Sequence, residues 1–474
     1  MSQTATTSTP SAPAAEPLDR TARTVIAVVV LGIITTVLDA TIVSVATDRL
    51  AAEFTVSLTT VQWVMTGYLL AFTATIPLAG WAMDRYGARR VWLLAVGLFT
   101  AGSLLCGAAW SAPSLIAFRV IQGAGAGLVS PVGIAMVARA VGPQRMGRAM
   151  AVVGIPMMLG PILGPVIGGV LIDSVDWRWI FLVNIPVGLA CLAWSVRALA
   201  TDHGAGRERL DAVGLVLLSP GLVGLAYGVT AVAGGHGSSG EVLGGIGGGA
   251  VLLAAFVVHA LRTDRPLVEL RHFATRGFAT ATAVQFLTVG VLTGAAFLLP
   301  LYHLVARSES ELTTGLLLVP QGVGAAVAMA LTGRLVDRGR GREIVLAGVG
   351  LLVIGFLAYT RVGSDPGQLY LGAALFAIGL GAGCIFAPTS AAAYASLDRG
   401  AIPRATTTMS IAQRTGGVVA TAVFATALQH QLSTGGAPAD AFGVSFWWPL
   451  AIAVLALVPA ALLPTARSDA HAER

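Results

Sequence analysis

The chain has 474 residues, of which 55% are hydrophobic and only 11% charged, and its mean hydropathy is +0.81. That composition excludes intrinsic disorder and a soluble fold, because neither accommodates repeated runs of about 20 apolar residues. It also excludes an outer-membrane barrel: barrel strands alternate over about 10 residues, whereas here continuous runs such as Leu210 to Ala233 dominate.

In chain order, residues 1–22 are Ser/Thr/Ala/Pro-rich without an apolar core, the pattern of a disordered tail and not of a cleaved signal peptide. Span 1 is predicted at about 24–46 and carries Asp39, the only acid placed well inside a span. Span 2, at about 58–81, carries Trp63 and Tyr68, rings suited to stacking on a substrate or to packing at the lipid interface. The loop after it reads Gly80-Trp-Ala-Met-Asp84-Arg85-Tyr-Gly87-Ala-Arg89-Arg90. Span 3 follows at about 91–110, and span 4, at about 114–137, holds Arg119 with Gln122 one turn on. In span 5, about 149–172, Gly160, Gly164 and Gly168 recur every four residues beside Gly169, and Pro156, Pro161 and Pro165 each remove a helix hydrogen bond. Tight packing and a pliable gating seam both follow from that pattern.

Spans 6 to 8 are predicted at about 180–199, 212–233 and 242–261. Span 9, about 278–303, ends at His303, an interfacial imidazole that is either merely solvated or titrates near neutral pH. Span 10, about 313–332, leads into Gly333-Arg-Leu-Val-Asp337-Arg338-Gly339-Arg340-Gly-Arg342, and spans 11 and 12 follow at about 343–361 and 368–394. Span 13, about 405–430, places Arg414 roughly nine residues inside, where it attracts an anionic substrate group or snorkels. Span 14 covers about 443–464. Cys106, Cys191 and Cys384 stand singly in apolar stretches, which argues against a disulfide framework and a metal site.

The net charge of +6 would suggest nucleic acid in a soluble protein, but every basic residue is arginine and their positions follow the spans. With both termini on the cytoplasmic side, 23 of the 29 arginines fall on that side, four fall in outer loops, and only Arg119 and Arg414 lie in hydrocarbon. The basic balance therefore reports topology and attraction to anionic lipid, not a nucleic-acid partner.

An ionised carboxylate near the bilayer centre costs about 2.5 to 3.5 kcal/mol, so it persists only with a partner, a water cavity or a proton. Span 1 runs outward and span 4 inward, which sets Asp39 and Arg119 at similar depth, roughly 8 to 10 Å below the outer boundary at the helical rise. Burial disfavours a charged carboxylate while a nearby arginine favours it, so a site with both can take up and release a proton. Asp39 is thus the expected proton-linked acid, with Arg119 tuning it and Gln122 adding a polar contact; the other reading is a static ion pair locking span 1 to span 4.

The two quoted loops share G-x-x-x-D-R and lie 253 residues apart with eight spans between them, so both fall on one face. Repeated halves are the signature of secondary transporters. Gly80, Asp84, Arg85, Gly87 and Arg90 in the first copy, with Gly333, Asp337 and Arg338 in the second, are therefore candidates for a gate, or else for tight turns held by basic charge.

The doubled loop resembles the signature loop of the major facilitator superfamily, and further segments resemble its fourteen-span drug:proton antiporter branch of bacterial inner membranes. Leu38-Asp39-Ala-Thr41-Ile-Val-Ser44 is similar to the acidic motif of that branch, Arg119-Val-Ile-Gln122-Gly123 to its arginine helix, and Gly154-Ile-Pro156 through Gly168-Gly169 to the motif linked with export. Trp177-Arg178-Trp179 through Asn184-Ile-Pro186-Val-Gly188, Asp211-Ala-Val-Gly214 and Pro266-Leu-Val-Glu269 resemble markers of the branch.

The resemblance implies an all-α polytopic membrane protein with the major facilitator fold, two six-helix bundles plus two extra transmembrane helices, 14 spans in all. The expected division is a tail at 1–22, an N-terminal bundle at 23–200, the two extra helices at 201–276, a C-terminal bundle at 277–466 and a tail at 467–474. The implied function is proton-coupled efflux of drugs or antibiotics by alternating access, or dedicated export of one endogenous metabolite or self-made antibiotic, from a multi-pass position in the bacterial inner membrane. An enzyme or receptor is not expected. The implied partners are an amphipathic organic substrate, protons and lipid, with no obligate protein partner, no metal and no cofactor. Without a lysine there is no P-loop, which leaves the proton gradient and not ATP as energy source.

Overall fold

The structure, a computed structural model, describes residues 19–464 apart from 143–144, 203, 205–208, 234–238, 265, 337–339, 363–365, 399 and 434–436. The described residues form helices throughout, as hydrocarbon requires of a chain that must satisfy its own backbone hydrogen bonds. The N-terminal half contains α1 (Arg20–Ile42), α2 (Thr47–Phe54), α3 (Leu58–Thr75), α4 (Leu78–Tyr86), α5 (Ala88–Gly107), α6 (Ala112–Val141), α7 (Met146–Ser174), α8 (Trp179–Leu182) and α9 (Asn184–Ala198). Between the halves run α10 (Ala212–Ala233) and α11 (Ser239–Arg262). The C-terminal half contains α12 (Arg276–Leu301), α13 (Glu311–Val336), α14 (Gly341–Tyr359), α15 (Gln368–Ala395), α16 (Ile402–Ser433), α17 (Pro438–Ser445) and α18 (Trp447–Ala461).

Local chemistry sets the ends. Asp19 caps α1 by accepting from the Thr21 amide at 3.2 Å, and Ser57 caps α3 through the Thr60 amide at 3.2 Å. Ser111 and Ser114 form a reciprocal capping box at the start of α6. Pro77, which lacks an amide proton, sits where α3 gives way to α4 with a bend of 53°. Between α4 and α5, Gly87 adopts φ +87°, which an L side chain would resist. The Asp202 carboxylate then accepts from the first amides of α5, Ala88 at 2.6 Å and Arg89 at 3.0 Å.

Twelve helices among the described residues are long and apolar enough to cross a membrane, or thirteen when the bent pair α3 and α4 counts as one span. The expected fourteen is not reached on that measure. The segment expected as span 5 forms the 29-residue α7, which is outside the twelve. Exposed apolar side chains such as Leu94, Val216, Leu243, Ile354 and Val458 cover the outside, a surface that only lipid or another apolar partner would cover.

Within the N-terminal half, α1 packs on α6, α7 and α9, and α6 on α3 and α5. In the C-terminal half, α15 packs on α12, α13 and α14, and α12 on α16 and α18. The halves meet where α7 lies against α13 and α15 and where α16 lies against α4 and α6. The inserted helix α10 packs on α11, α3 and α16, and the Ser219 hydroxyl donates to the Ala74 carbonyl at 2.8 Å.

Candidate functional site

Near one end of α1, Asp39 is fully buried, and every contact of its carboxylate comes from the same half. Oδ2 accepts from Arg119 Nη1 of α6 at 2.6 Å, while Oδ1 accepts from Gln122 Nε2 at 2.8 Å and from Asn184 Nδ2 of α9 at 2.9 Å. Arg119 is 1% exposed; its Nε donates to the Val64 carbonyl at 3.2 Å and its Nη1 also reaches Gln122 Oε1 at 2.7 Å. Gln122 Nε2 donates to Ser103 Oγ of α5 at 2.6 Å, which draws a fifth helix into a network already joining α1, α3, α6 and α9. Five helices thus meet in the network around one carboxylate.

A buried ion pair survives only when its remaining donors and acceptors are satisfied, and this amide shell does that. Tyr68 completes the enclosure: its ring centroid lies 4.0 Å from Arg119 Cζ and its hydroxyl donates to the Thr36 carbonyl at 3.4 Å. Cation–π contact of this kind holds the guanidinium from the side that the carboxylate leaves open.

The remaining substrate-cavity candidates sit elsewhere. Trp63 is 40% exposed and stacks on Tyr227 of α10 with ring centroids 5.9 Å apart, so its aromatic face is spent on the inserted helix. His303 is not a solvated imidazole. It is fully buried in a π-helical turn, Tyr302–Ala306, and neither ring nitrogen has a hydrogen-bond partner. Arg414 reaches across from α16 to α3, where Nε donates to Thr73 Oγ1 at 3.4 Å and Cζ lies 5.2 Å from the Phe72 ring centroid.

In the first repeated loop, Asp84 pairs with Arg404 of α16, Nε to Oδ2 at 2.8 Å, which ties the N-terminal half to the C-terminal half. Arg404 also lies 4.0 Å from Glu269 Oε2 in the segment joining α11 to α12. Gly80 faces the same junction: a methyl group there would come within 3.1 Å of Thr407 Oγ1. Arg85 instead lies against the rings of Trp81 and Tyr86, and Arg90 is exposed. Of the second loop, Gly333 lies in α13, whereas Asp337 and Arg338 lie outside the described residues.

Along α7, Gly160, Gly164 and Gly168 face α1. Side chains there would strike Val37, Thr41 and the Ile42 carbonyl respectively, and Thr41 Oγ1 donates to the Gly160 carbonyl at 3.1 Å. Gly169 points to open space, and Pro161 and Pro165 lie within the helix. The glycine face therefore belongs to packing against α1, and a different glycine of α7, Gly154, meets Met329 of α13 across the halves.

Sequence reasoning left Asn184, Ser103, Arg404 and Glu269 without roles. Asn184 and Glu269 stand inside the quoted branch markers, which was the available signal; Ser103 and Arg404 offered none beyond polarity and charge. Asp211, in another marker, accepts from the amides of Gly214 at 2.8 Å and Leu267 at 3.1 Å and contacts His259 Nε2 at 2.9 Å, fastening the inserted helices.

The Major Facilitator Superfamily model matches residues 29–421 and again 308–473. The chain belongs to that superfamily. It is 40% identical over 399 residues to the "Multidrug resistance protein B homolog" of Mycobacterium tuberculosis, covering 83% of this chain and 74% of the relative. It is 26% identical over 397 residues to "Multidrug resistance protein 3" of Bacillus subtilis, covering 84% and 77%. Among solved structures, the human organic anion transporter MFSD10 superposes with a TM-score of 0.64 at 18% identity over 91% of this chain and 99% of its own. The proton:xylose symporter XylE gives 0.67 at 15% identity over 95% and 97%. These two show the fold. As a superfamily member the protein is a multi-pass membrane transporter and not an enzyme.

Proposed function

We propose that the protein exports amphipathic organic compounds in exchange for protons, by alternating access of its two halves, in a bacterial inner membrane with both termini in the cytoplasm. The relatives named for multidrug resistance support efflux, and the arginine distribution supports the orientation. The observation that carries proton coupling is the Asp39 network: one carboxylate, fully buried, held by a guanidinium and two amides.

In this arrangement no water reaches Asp39, so a proton arrives only when α1, α6 and α9 move apart. Protonation removes the charge that Arg119 neutralises, which weakens the tie between α1 and α6 and favours the state in which the halves have rocked. Loading of substrate and loss of the proton then reverse it. The junction of Asp84 with Arg404 closes the arginine-rich end meanwhile.

Asp39→Asn keeps the shape and its two amide neighbours while removing the titrating group. In inverted vesicles with an imposed proton gradient, this variant is expected to lose gradient-driven drug uptake by at least tenfold while folding normally. Undiminished uptake removes Asp39 from the mechanism.

A further inference from the structure

Two arginines lie within the membrane span of this fold, and they differ in one respect. Arg119 is neutralised by Asp39 at 2.6 Å. Arg414 has no carboxylate within ion-pair distance among the described residues; its nearest polar contact is a threonine hydroxyl at 3.4 Å and its nearest ring is Phe72. It lies 12 residues into α16, roughly 18 Å from the helix start at 1.5 Å per residue, hence near the middle of a hydrocarbon core about 30 Å thick. An unneutralised charge at that depth is costly and persists where it faces a cavity or a ligand.

Its surroundings fit a ligand. The side chain is partly exposed and bridges the two halves, from α16 to α3, at the seam that alternating access would open. Next to it, Gln413 donates to Gln285 Oε1, and Gln285 in turn donates to Thr389 Oγ1 at 2.8 Å and Ser390 Oγ at 3.0 Å, so the C-terminal wall is polar but neutral. On the opposite wall Phe72 packs beside Tyr68, 6.2 Å between centroids. A guanidinium fork with most of its N–H groups uncommitted, flanked by aromatic faces and amides, matches a planar oxyanion attached to an aromatic or apolar body.

We propose that Arg414 is the anion-recognising group of the central site, so that the exported compounds carry a carboxylate or sulfonate. The assignment rests on the efflux reading above and narrows it to one charge class. Tyr68 joins the two arginines spatially, since it stacks on Arg119 and neighbours Phe72, which places the anion beside the proton-linked network without contact to Asp39.

The test uses the purified full chain in nanodiscs with matched naphthalene probes: 2-naphthoate, naphthalene-2-sulfonate and 2-naphthyltrimethylammonium. Wild type is expected to bind both anions and gain thermal stability from them. Arg414→Gln is expected to weaken anion affinity at least tenfold without changing the response to the ammonium probe. Arg414→Lys, which keeps the charge and loses the fork, is expected to fall between them. Equal anion affinity in wild type and Arg414→Gln overturns the proposal, as does a wild type that answers only to the ammonium probe or to none of the three. If Arg414→Gln fails to fold, Arg414→Lys decides, and unchanged anion affinity there counts against it. Gradient-driven transport of the ammonium probe by a wild type that binds neither anion sinks the anion site and keeps efflux. Arg414-dependent anion binding without gradient-driven movement sinks the exchange reading and keeps the anion site.

Discussion

The two halves hold their polar centres in opposite ways. In the N-terminal half, Asp39 and Arg119 form a charged pair closed off by Gln122, Asn184 and Ser103, and every member is buried. In the C-terminal half, Gln285 of α12 binds Thr389 and Ser390 of α15 with no charge among them, and Arg414, next to Gln413, leans away across the seam. Both clusters join the first helix of a half to a long helix of the same half. Only one holds a carboxylate. The difference teaches that a repeated fold can confine a buried ion pair to one copy and leave the other to shape and neutral polarity.

The largest expected effect breaks that comparison directly. Arg119→Leu strands the Asp39 carboxylate in a buried site, a change that costs about 3 to 5 kcal/mol when one partner of a buried pair is removed. Gln285→Leu removes hydrogen bonds between neutral groups, worth about 0.6 to 1.7 kcal/mol inside a membrane protein. Thermal unfolding in detergent should therefore separate the two variants widely, and Asp39→Asn combined with Arg119→Leu should recover part of the loss. Equal destabilisation by Arg119→Leu and Gln285→Leu would show that the charged pair is no more consequential than its neutral counterpart.

A smaller effect is expected at the last turn of α4. Asp84→Asn keeps a hydrogen-bond acceptor for Arg404 but loses the ion pair, a change of about 1 to 2 kcal/mol for a charge-assisted contact that is partly buried. That is roughly a tenfold shift in the balance between closed and open junctions. The readout is maleimide labelling of a cysteine placed at Thr407, which is fully buried under Gly80 in the closed form. Faster labelling in Asp84→Asn is the expected result; unchanged labelling means that the contact does not hold the halves together.

The contrast between halves was only partly legible in the sequence. A lone acid in hydrocarbon demands a cation, and helix rise fixes depth, so Asp39, Arg119 and Gln122 were brought together from spacing alone, and the structure places them in contact. Asn184 was not, because a neutral amide buried at a helix start looks like any polar residue until its carboxylate partner is known. Arg404 was counted only as a charge that reports topology, since nothing in a linear chain says that it pairs with a loop 320 residues away. His303 was read as solvated, whereas the helix continues past it in a π turn and Tyr302 beside it packs on Tyr359, Phe442 and Phe446 of later helices, which bury it. Trp63 faced the inserted helix for the same reason: a partner supplied by distant chain. The fold class was readable from composition, whereas the number of spans depends on α7, a helix rich in glycine and proline.

The smallest effect concerns the segment that joins the inserted helices to the C-terminal half. His272 lies between α11 and α12 beside the junction of Asp84 with Arg404, and its Nε2 is buried without a hydrogen-bond partner. Burial holds its imidazole below the ordinary histidine value, opposed by Glu269, which favours the charged form, and reinforced by Arg404. The neutral form is thus the one that the fold prefers. As pH falls below about 6.5 the unfolded chain takes the proton more readily than the folded one, so this group subtracts stability on the acid side and is silent above it. Wild type should lose slightly more thermal stability between about pH 7.5 and 5.5 than His272→Gln, by less than about 1 kcal/mol, with the two converging at the alkaline end. A larger acid-side loss in His272→Gln reverses the sign and means that the imidazolium is held by Glu269, which would make the segment an acid-strengthened clasp between the halves.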